Sequence, residues 1–182
     1  TRIEDGDAEA HRLVGQNGNL HGYGRLLIAT GGVPRDVPGG DGRVIPYRNM
    51  ADFRKLEEHI ALHHRIAVVG GGHIGMEIAA GLTRHPCEVL WILPGKGPGA
   101  GFFPAGLVQF LADEYRRHLI DLVPEQRVTH IDTSGEHLVL CTDGDGRYAA
   151  DCAVLGIGID PADGLAARMG IETDDGIPVN EH

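Results

Sequence analysis

Gly70, Gly72 and Gly75 stand at the spacing G-x-G-x-x-G, and each position in that pattern has a mechanical task around a pyrophosphate. The first allows a tight turn, the second lets backbone approach the phosphates, and the third lets a helix pack closely on a strand. The flanking residues supply the setting this needs. Arg65–Val69 is a short, largely β-branched run that reads as a buried parallel strand, and Ile74, Ile78 and Leu82 recur afterwards at helical spacing. A helix beginning there points unpaired N–H groups and a positive dipole end at an anion. The same glycines also suit a turn that only packs a helix on a sheet. The strand before and the helix after favour the nucleotide.

Other positions carry chemistry less clearly. Glu77 reads as lying in the first helical turn, where a carboxylate serves the helix dipole without any ligand. The run Arg25-Leu26-Leu27-Ile28-Ala29-Thr30-Gly31-Gly32 reads as a buried strand stopping in small residues, which either admits something large to the backbone or is an ordinary strand exit. Asp143-Gly144-Asp145-Gly146 lacks the spacing and distal glutamate of a calcium loop and reads as a hairpin turn, so no metal site is expected. Cys87, Cys141 and Cys152 are far apart, form no C-x-x-C, and read as packing residues in a reducing, cytoplasmic setting.

The elements that must hold these residues follow from periodicity. Asn17-Gly18 between His11–Val14 and Leu20–Tyr23 predicts a hairpin. Residues 34 to 46 are rich in Pro and Gly and read as a connector. Asn49 is the predicted cap of a helix with Asp52 at its third position and Phe53, Leu56 and Ile60 as its apolar stripe. After the glycine loop, residues 88 to 93 read as a second parallel strand, completing a βαβ unit. A further helix is expected over roughly 105 to 118, with Leu107, Phe110, Leu111 and Tyr115 on one face, leading into the short run 119 to 123. Three strands in meander order follow, over 127–131, 137–141 and 146–149. Residues 151 to 161 form one more buried strand ending in glycines. The tail has a short helical piece and an extended segment at 176–179.

Composition excludes several classes of function. A chain of 182 residues with net charge −10 and no basic run is not built for a nucleic-acid groove or an anionic membrane surface. No apolar stretch approaches the ~18 residues needed to span a bilayer, and the polar opening is not a signal peptide. Small molecules and other proteins are the expected partners.

The order of these parts resembles the pyridine nucleotide-disulfide oxidoreductase superfamily. The resemblance rests on Tyr23 with Leu26 to Gly32, on Gly70 to Glu77, on the meander, and on Gly156-Ile157-Gly158-Ile159-Asp160-Pro161. Asp52-Phe53-Arg54-Lys55-Leu56-Glu57 and the Leu-Pro-x-Lys-Gly wording of Leu93 to Gly97 are nearest the ferredoxin reductase-like and apoptosis-inducing factor-like branches. It implies an α/β fold: a Rossmann-like three-layer nucleotide-binding domain with a β-meander, flanked by strand segments of an incomplete flavin domain. Residues 1–44 are then a partial FAD-domain segment and connector, 45–160 the NAD(P)H-binding domain, and 161–182 the start of the return to the FAD domain.

The resemblance implies a flavoprotein oxidoreductase that passes hydride from NAD(P)H to FAD and on to an acceptor, with protein, quinone, oxygen and thiol acceptors all open. The alternative is a non-catalytic NAD(H)-binding sensor or interaction module. Cofactor contacts are implied for Gly70, Gly71, Gly72, His73, Ile74 and Gly75 at the loop, and for Gly156 and Gly158 beside the nicotinamide. Thr30 and Gly31 belong to the flavin part. Glu77 either contacts the nicotinamide end or only serves its helix; His73 either caps the nicotinamide pocket or faces solvent. No side chain is expected to be catalytic in its own right, because the cofactors carry the chemistry. Where NAD-specific folds place an acid for the ribose hydroxyl, this chain has Gly95 followed by Lys96. Lys96 either meets a 2′-phosphate or is an exposed loop lysine, and the resemblance favours NAD over NADP. A first fingerprint is expected before Thr1 and a flavin-contacting Gly-Asp segment after His182. Without them the chain is expected to bind a nicotinamide nucleotide, neither holding FAD tightly nor turning over, and to self-associate, as a homodimer for instance, through uncovered apolar surface.

Overall fold

The computed structural model describes residues 1–62 and 64–181. The chain runs β1 (Ile3–Asp7), β2 (Arg12–Gly15), β3 (Leu20–Gly22), β4 (Gly32–Pro34), β5 (Val44–Ile45), α1 (Met50–Ala61), β6 (Arg65–Val69), α2 (His73–Leu82) and β7 (Glu88–Ile92). It continues through α3 (Ala105–Arg117), β8 (Asp121–Val123), β9 (Val128–Asp132), β10 (Leu138–Thr142), β11 (Arg147–Ala150), β12 (Cys152–Leu155), β13 (Ile159–Pro161) and α4 (Gly164–Arg168). Two compact units result: Pro34–Gly158, and Thr1–Val33 together with the chain from Ile159 onward. His182, the last residue of the expected segment 161–182, lies outside the described residues.

The larger unit is built on a five-stranded parallel sheet of order β5-β12-β6-β7-β8. Its central strands are buried on both faces, so their side chains divide by alternation. Ile66 and Val68 of β6, Val89 and Trp91 of β7, and Cys152 and Val154 of β12 point to the helical side, where they meet Leu56, Ile78, Ala79 and Leu82. Ala67 and Val69, Leu90 and Ile92, and Ala153 and Leu155 point the other way, onto Val128, Ile131, Leu138 and Leu140 of the antiparallel meander β11-β10-β9. Helices, sheet and meander make three layers. Each fully buried aliphatic side chain here contributes roughly 1.5–3 kcal/mol, which is why a continuous apolar run and not an alternating one marks these strands.

The first helix of this unit starts as its sequence predicts. Asn49 Oδ1 accepts from Ala51 N at 2.7 Å and Asp52 N at 3.2 Å, and Asp52 Oδ2 accepts in return from Asn49 N at 3.1 Å. The result is a reciprocal capping box.

The smaller unit carries the antiparallel sheet β1-β2-β3 and the pair β13-β4. Gly18, with φ +75°, turns β2 into β3 as expected of Asn-Gly. Arg168 Nε of α4 donates to the Glu4 carbonyl of β1 at 2.9 Å.

Several expectations are corrected. Residues 26 to 31 form no strand; Leu27 is 87% exposed, and the only strand there is β4, after the glycines. An apolar run becomes a strand only where a neighbour pairs its backbone, and among the described residues no sheet includes this one. The connector of residues 34 to 46 does contain a strand, β5, at the edge of the parallel sheet. Of the expected face of α3, Leu111 and Tyr115 are half-buried, Tyr115 packing on the core, but Leu107 and Phe110 are exposed, and the fully buried residues are Val108 and Ala112. The strand expected over residues 151 to 161 is two, β12 and β13, separated by the glycine turn at 156–158. β1, in the polar opening, was not anticipated.

Candidate functional site

The βαβ unit β6-α2-β7 turns at the glycine loop. Gly70 holds φ +108°, a conformation open to glycine, and its N–H donates to the Ile92 carbonyl at 2.9 Å. Its own carbonyl accepts from the Trp91 indole Nε1 at 2.8 Å. Gly75 lies directly beneath: a Cβ there would stand 2.1 Å from the Gly70 oxygen. Gly156, after β12, closes the third side, with a Cβ position 3.0 Å from Gly75 N. Two strand ends and one helix meet here with only backbone between them.

Gly72 is different. A Cβ at that position would meet nothing within 4 Å, so space does not require glycine there. It is the N-cap of α2 with extended backbone (φ −81°, ψ −174°), and no side chain caps the helix. The first N–H groups of α2 therefore face the opening above the loop.

That opening is a crevice of about 810 Å³, lined by Gly70, Gly71 and Gly72, by Gly95 and Gly97 after β7, by Gly156, Ile157 and Gly158 after β12, and by Arg35, Phe102 and Arg127. It lies at the carboxyl ends of β6, β7 and β12. The chain leaves β6 for β7 on one side, while β12 flanks β6 on the other. This is the switch point at which open α/β sheets place ligands. The volume falls within the ~300–1,000 Å³ usual for ligand pockets.

The expected site residues divide by position. Gly70, Gly71, Gly72, Gly95, Gly156 and Gly158 line the crevice together. Gly75 is buried under the turn, in a packing role. His73 and Ile74 are exposed on the first turn of α2, and Lys96 is exposed beside Gly95. The His73 ring stacks on Phe102 with centroids 4.1 Å apart and 8° between planes. Glu77 falls beyond the first turn of α2, which carries no acid, so service to the helix dipole does not explain it. Thr30 and Gly31 lie in the smaller unit, where Thr30 Oγ1 donates to the Ala162 carbonyl at 2.5 Å and Gly31 accepts from Ala162 N at 2.9 Å.

Arg35, Phe102 and Arg127 line the crevice without having been singled out in the sequence. No motif marks them, since each is a lone residue in a loop or at the start of a strand. Arg127 arrives through a long-range contact: Glu125 N donates to the Gly95 carbonyl at 2.9 Å and Gln126 N to the Leu93 carbonyl at 3.1 Å. Among the described residues no group of three His, Cys, Asp or Glu side chains is arranged to hold a metal ion, and no helix is long and apolar enough to cross a membrane.

A parallel sheet with a glycine loop, an uncapped helix start and a crevice at the switch point defines a dinucleotide-binding α/β domain. The family is settled by comparison: the model of the pyridine nucleotide-disulphide oxidoreductases matches residues 1–182, and the chain belongs to that family. Putidaredoxin reductase CamA of Pseudomonas putida is 29% identical over 192 aligned residues, covering all of this chain and 45% of the relative. The chain thus spans under half the length of that curated relative. The ferredoxin reductase of the CYP199A2 system from Rhodopseudomonas palustris superposes with a TM-score of 0.86 at 25% identity, over 97% of this chain and 45% of that one. The water-forming NADH oxidase of Lactobacillus brevis, bound to NADH, superposes at 0.83 with 25% identity, over 91% of this chain and 38% of that one. An engineered form of that oxidase bound to NADPH gives 0.81 at 25% identity, over 91% and 38%.

Proposed function

We propose that the larger unit holds the nicotinamide nucleotide of an FAD-dependent oxidoreductase, from which electrons pass to an acceptor. The carrying observation is the open position at Gly72. Backbone locks Gly70, Gly75 and Gly156 against one another, yet the one glycine of the fingerprint that no neighbour needs faces a crevice of nucleotide size. When bound, the reduced nicotinamide supplies a hydride, two electrons with one proton, to the flavin.

The chain's own residues would bind and orient. The N–H groups opening α2, with Gly71 and Gly72 beside them, suit a pyrophosphate. Gly156 to Gly158 wall the side of β12, and Phe102, held by its stack on His73, shields one margin from water. The matched relatives are reductases of putidaredoxin and ferredoxin on one hand and a water-forming oxidase on the other. They support a protein or oxygen as acceptor.

The coenzyme is approached through Gly95 and Lys96. Among its five exchanges, the engineered oxidase bound to NADPH replaces an aspartate by alanine and the adjoining alanine by arginine. Gly95 followed by Lys96 presents the same succession, no acid and then a cation. The residues here therefore support NADP(H), where the family resemblance alone leans to NAD(H).

Calorimetric titration of the chain with NADH and NADPH tests the site, with Gly72→Val as control. The expected result is saturable binding that Gly72→Val abolishes while the thermal transition is retained. Binding unaffected by that change would move the nucleotide elsewhere; no binding would leave the loop as a packing turn.

A further inference from the structure

We infer that Arg127 is the residue that selects a 2′-phosphorylated nucleotide, by meeting the phosphate on the adenosine ribose. This rests on the reading of the crevice as a nicotinamide-nucleotide site. Three observations carry it. The first is placement. The segment 125–127 is tied across the carboxyl end of β7 by the bonds of Glu125 N and Gln126 N to the carbonyls of Gly95 and Leu93. Arg127 N is fixed in turn by Asp143 Oδ1 at 3.0 Å. The backbone that bears Arg127 is therefore bonded on both sides, and the residue stands at the same end of the crevice as Gly95.

The second observation is charge. The crevice is lined by two cations, Arg35 and Arg127, and one carboxylate, Asp36. Arg35 belongs to the opposite end, within 3.7 Å of the Cβ position of Gly158, and Asp36 Oδ1 accepts from Val37 N at 2.8 Å. The Gly95 end is left with a single charged lining residue, an arginine. A ribose hydroxyl asks for an acceptor, which an arginine cannot be; a phosphate asks for donors.

The third is the contrast with neighbouring arginines. Arg43 is paired with Asp41 and caps the carbonyls of Glu136 and Thr133. Arg147 reaches Asp132 at 3.8 Å and Cys141 Sγ at 3.4 Å. Among the described residues the Arg127 guanidinium has neither an ion pair nor a hydrogen bond, so its five N–H donors are open to a ligand. The planar fork also matches a phosphate better than a lysine does. Lys96, exposed in the next loop, adds charge but does not line the crevice.

The test uses adenosine fragments, so that the nicotinamide end plays no part. The intact chain and Arg127→Ala are titrated calorimetrically with 2′,5′-ADP and with 5′-AMP, and each variant's thermal transition is recorded. The intact chain is expected to bind 2′,5′-ADP at least about ten-fold more tightly than 5′-AMP, the low end for a charged hydrogen-bonded pair. Arg127→Ala is expected to weaken 2′,5′-ADP about ten-fold more than it weakens 5′-AMP, and Arg127→Lys to restore part of the difference. Equal affinities in the intact chain, or a ratio that Arg127→Ala leaves unchanged, overturns the assignment while leaving the nucleotide site intact. Failure of both fragments to bind, together with failure of NADH and NADPH, overturns the site itself.

Discussion

The indole Nε1 of Trp91 donates to the carbonyl of Gly70 at 2.8 Å, with Trp91 fully buried beneath the glycine loop. The loop's left-handed residue is thus held from below by a strand side chain, and Tyr115 closes on the indole edge-on at 4.8 Å. Trp91→Phe keeps most of the ring but leaves that carbonyl without its donor. The expected cost is about 1–3 kcal/mol in urea unfolding, with a larger loss of nucleotide affinity than of stability if the bond sets the loop's shape. An unchanged midpoint would mean that another donor serves Gly70.

Two glycines of one motif should respond oppositely to the same methyl group. Gly75→Ala puts a carbon 2.1 Å from the Gly70 oxygen, so backbone must move, and a loss of about 1–3 kcal/mol is expected. Gly72→Ala meets nothing within 4 Å, so only the weaker N-cap of α2 remains as a cost, about 0.5 kcal/mol. Its effect should appear in nucleotide binding, as a rise in Kd of about ten-fold. Thermal melts and calorimetry on the pair check both halves; equal losses of stability would deny the division of labour.

Acid should weaken the larger unit in two steps. Burial, and then the neighbouring His64 whose Nδ1 lies 3.1 Å away, hold the His59 imidazole below its usual 6.5. At Asp151 burial pushes the carboxyl up, but the Arg65 N–H and the His137 Nδ1, each at 2.7 Å, together carry it below its usual 3.8. Both values are lower folded than unfolded, so the unfolded chain binds more protons and stability rises with pH through each window. His59 contributes its full effect above 6.5 and loses it as pH falls through the folded value; Asp151 does the same starting from 3.8. His59→Gln should remove the upper step and leave the lower. A urea midpoint level from neutrality to about pH 5 would remove His59 from the account.

What could be foreseen of this molecule was what neighbours in sequence determine. The turn at Gly70, the strand before it, α2 and the Asn49 cap all rest on residues within a few positions of one another. The face of α3 was only half legible: Leu111 and Tyr115 do turn inward, but Leu107, Val108, Phe110, Leu111 and Ala112 are all apolar, and periodicity alone does not choose between the Leu107 and Val108 sides. Residues 26 to 31 were misjudged because a strand needs a partner that local pattern does not reveal. Arg127 was out of reach for the same reason. Nothing in Glu125-Gln126-Arg127 announces a binding role until the Gly95 carbonyl, 30 positions earlier by residue number, is seen to accept from Glu125.

That contact makes Gly95 the sharpest lever on coenzyme choice. Gly95→Glu would restore an acid where NAD-specific folds carry one, and it would also set a carboxylate in reach of Arg127. The two effects act in one direction: the new acid itself favours a ribose hydroxyl over a 2′-phosphate, and by pairing with the arginine it occupies the group that would have held that phosphate. Space is tight, since a Cβ at Gly95 would stand 2.9 Å from the Ala100 methyl, so Gly95→Glu with Ala100→Gly relieves the crowding and serves as the cleaner variant. The ratio of NADPH to NADH affinity should fall by about a hundred-fold, the product of two roughly ten-fold effects. In an Arg127→Ala background the same substitution should move the ratio only about ten-fold, because one of its two routes is gone. A ratio unmoved in either background would show that the adenosine ribose lies away from Gly95, and the selectivity of this crevice would then have to be sought at its Arg35 end.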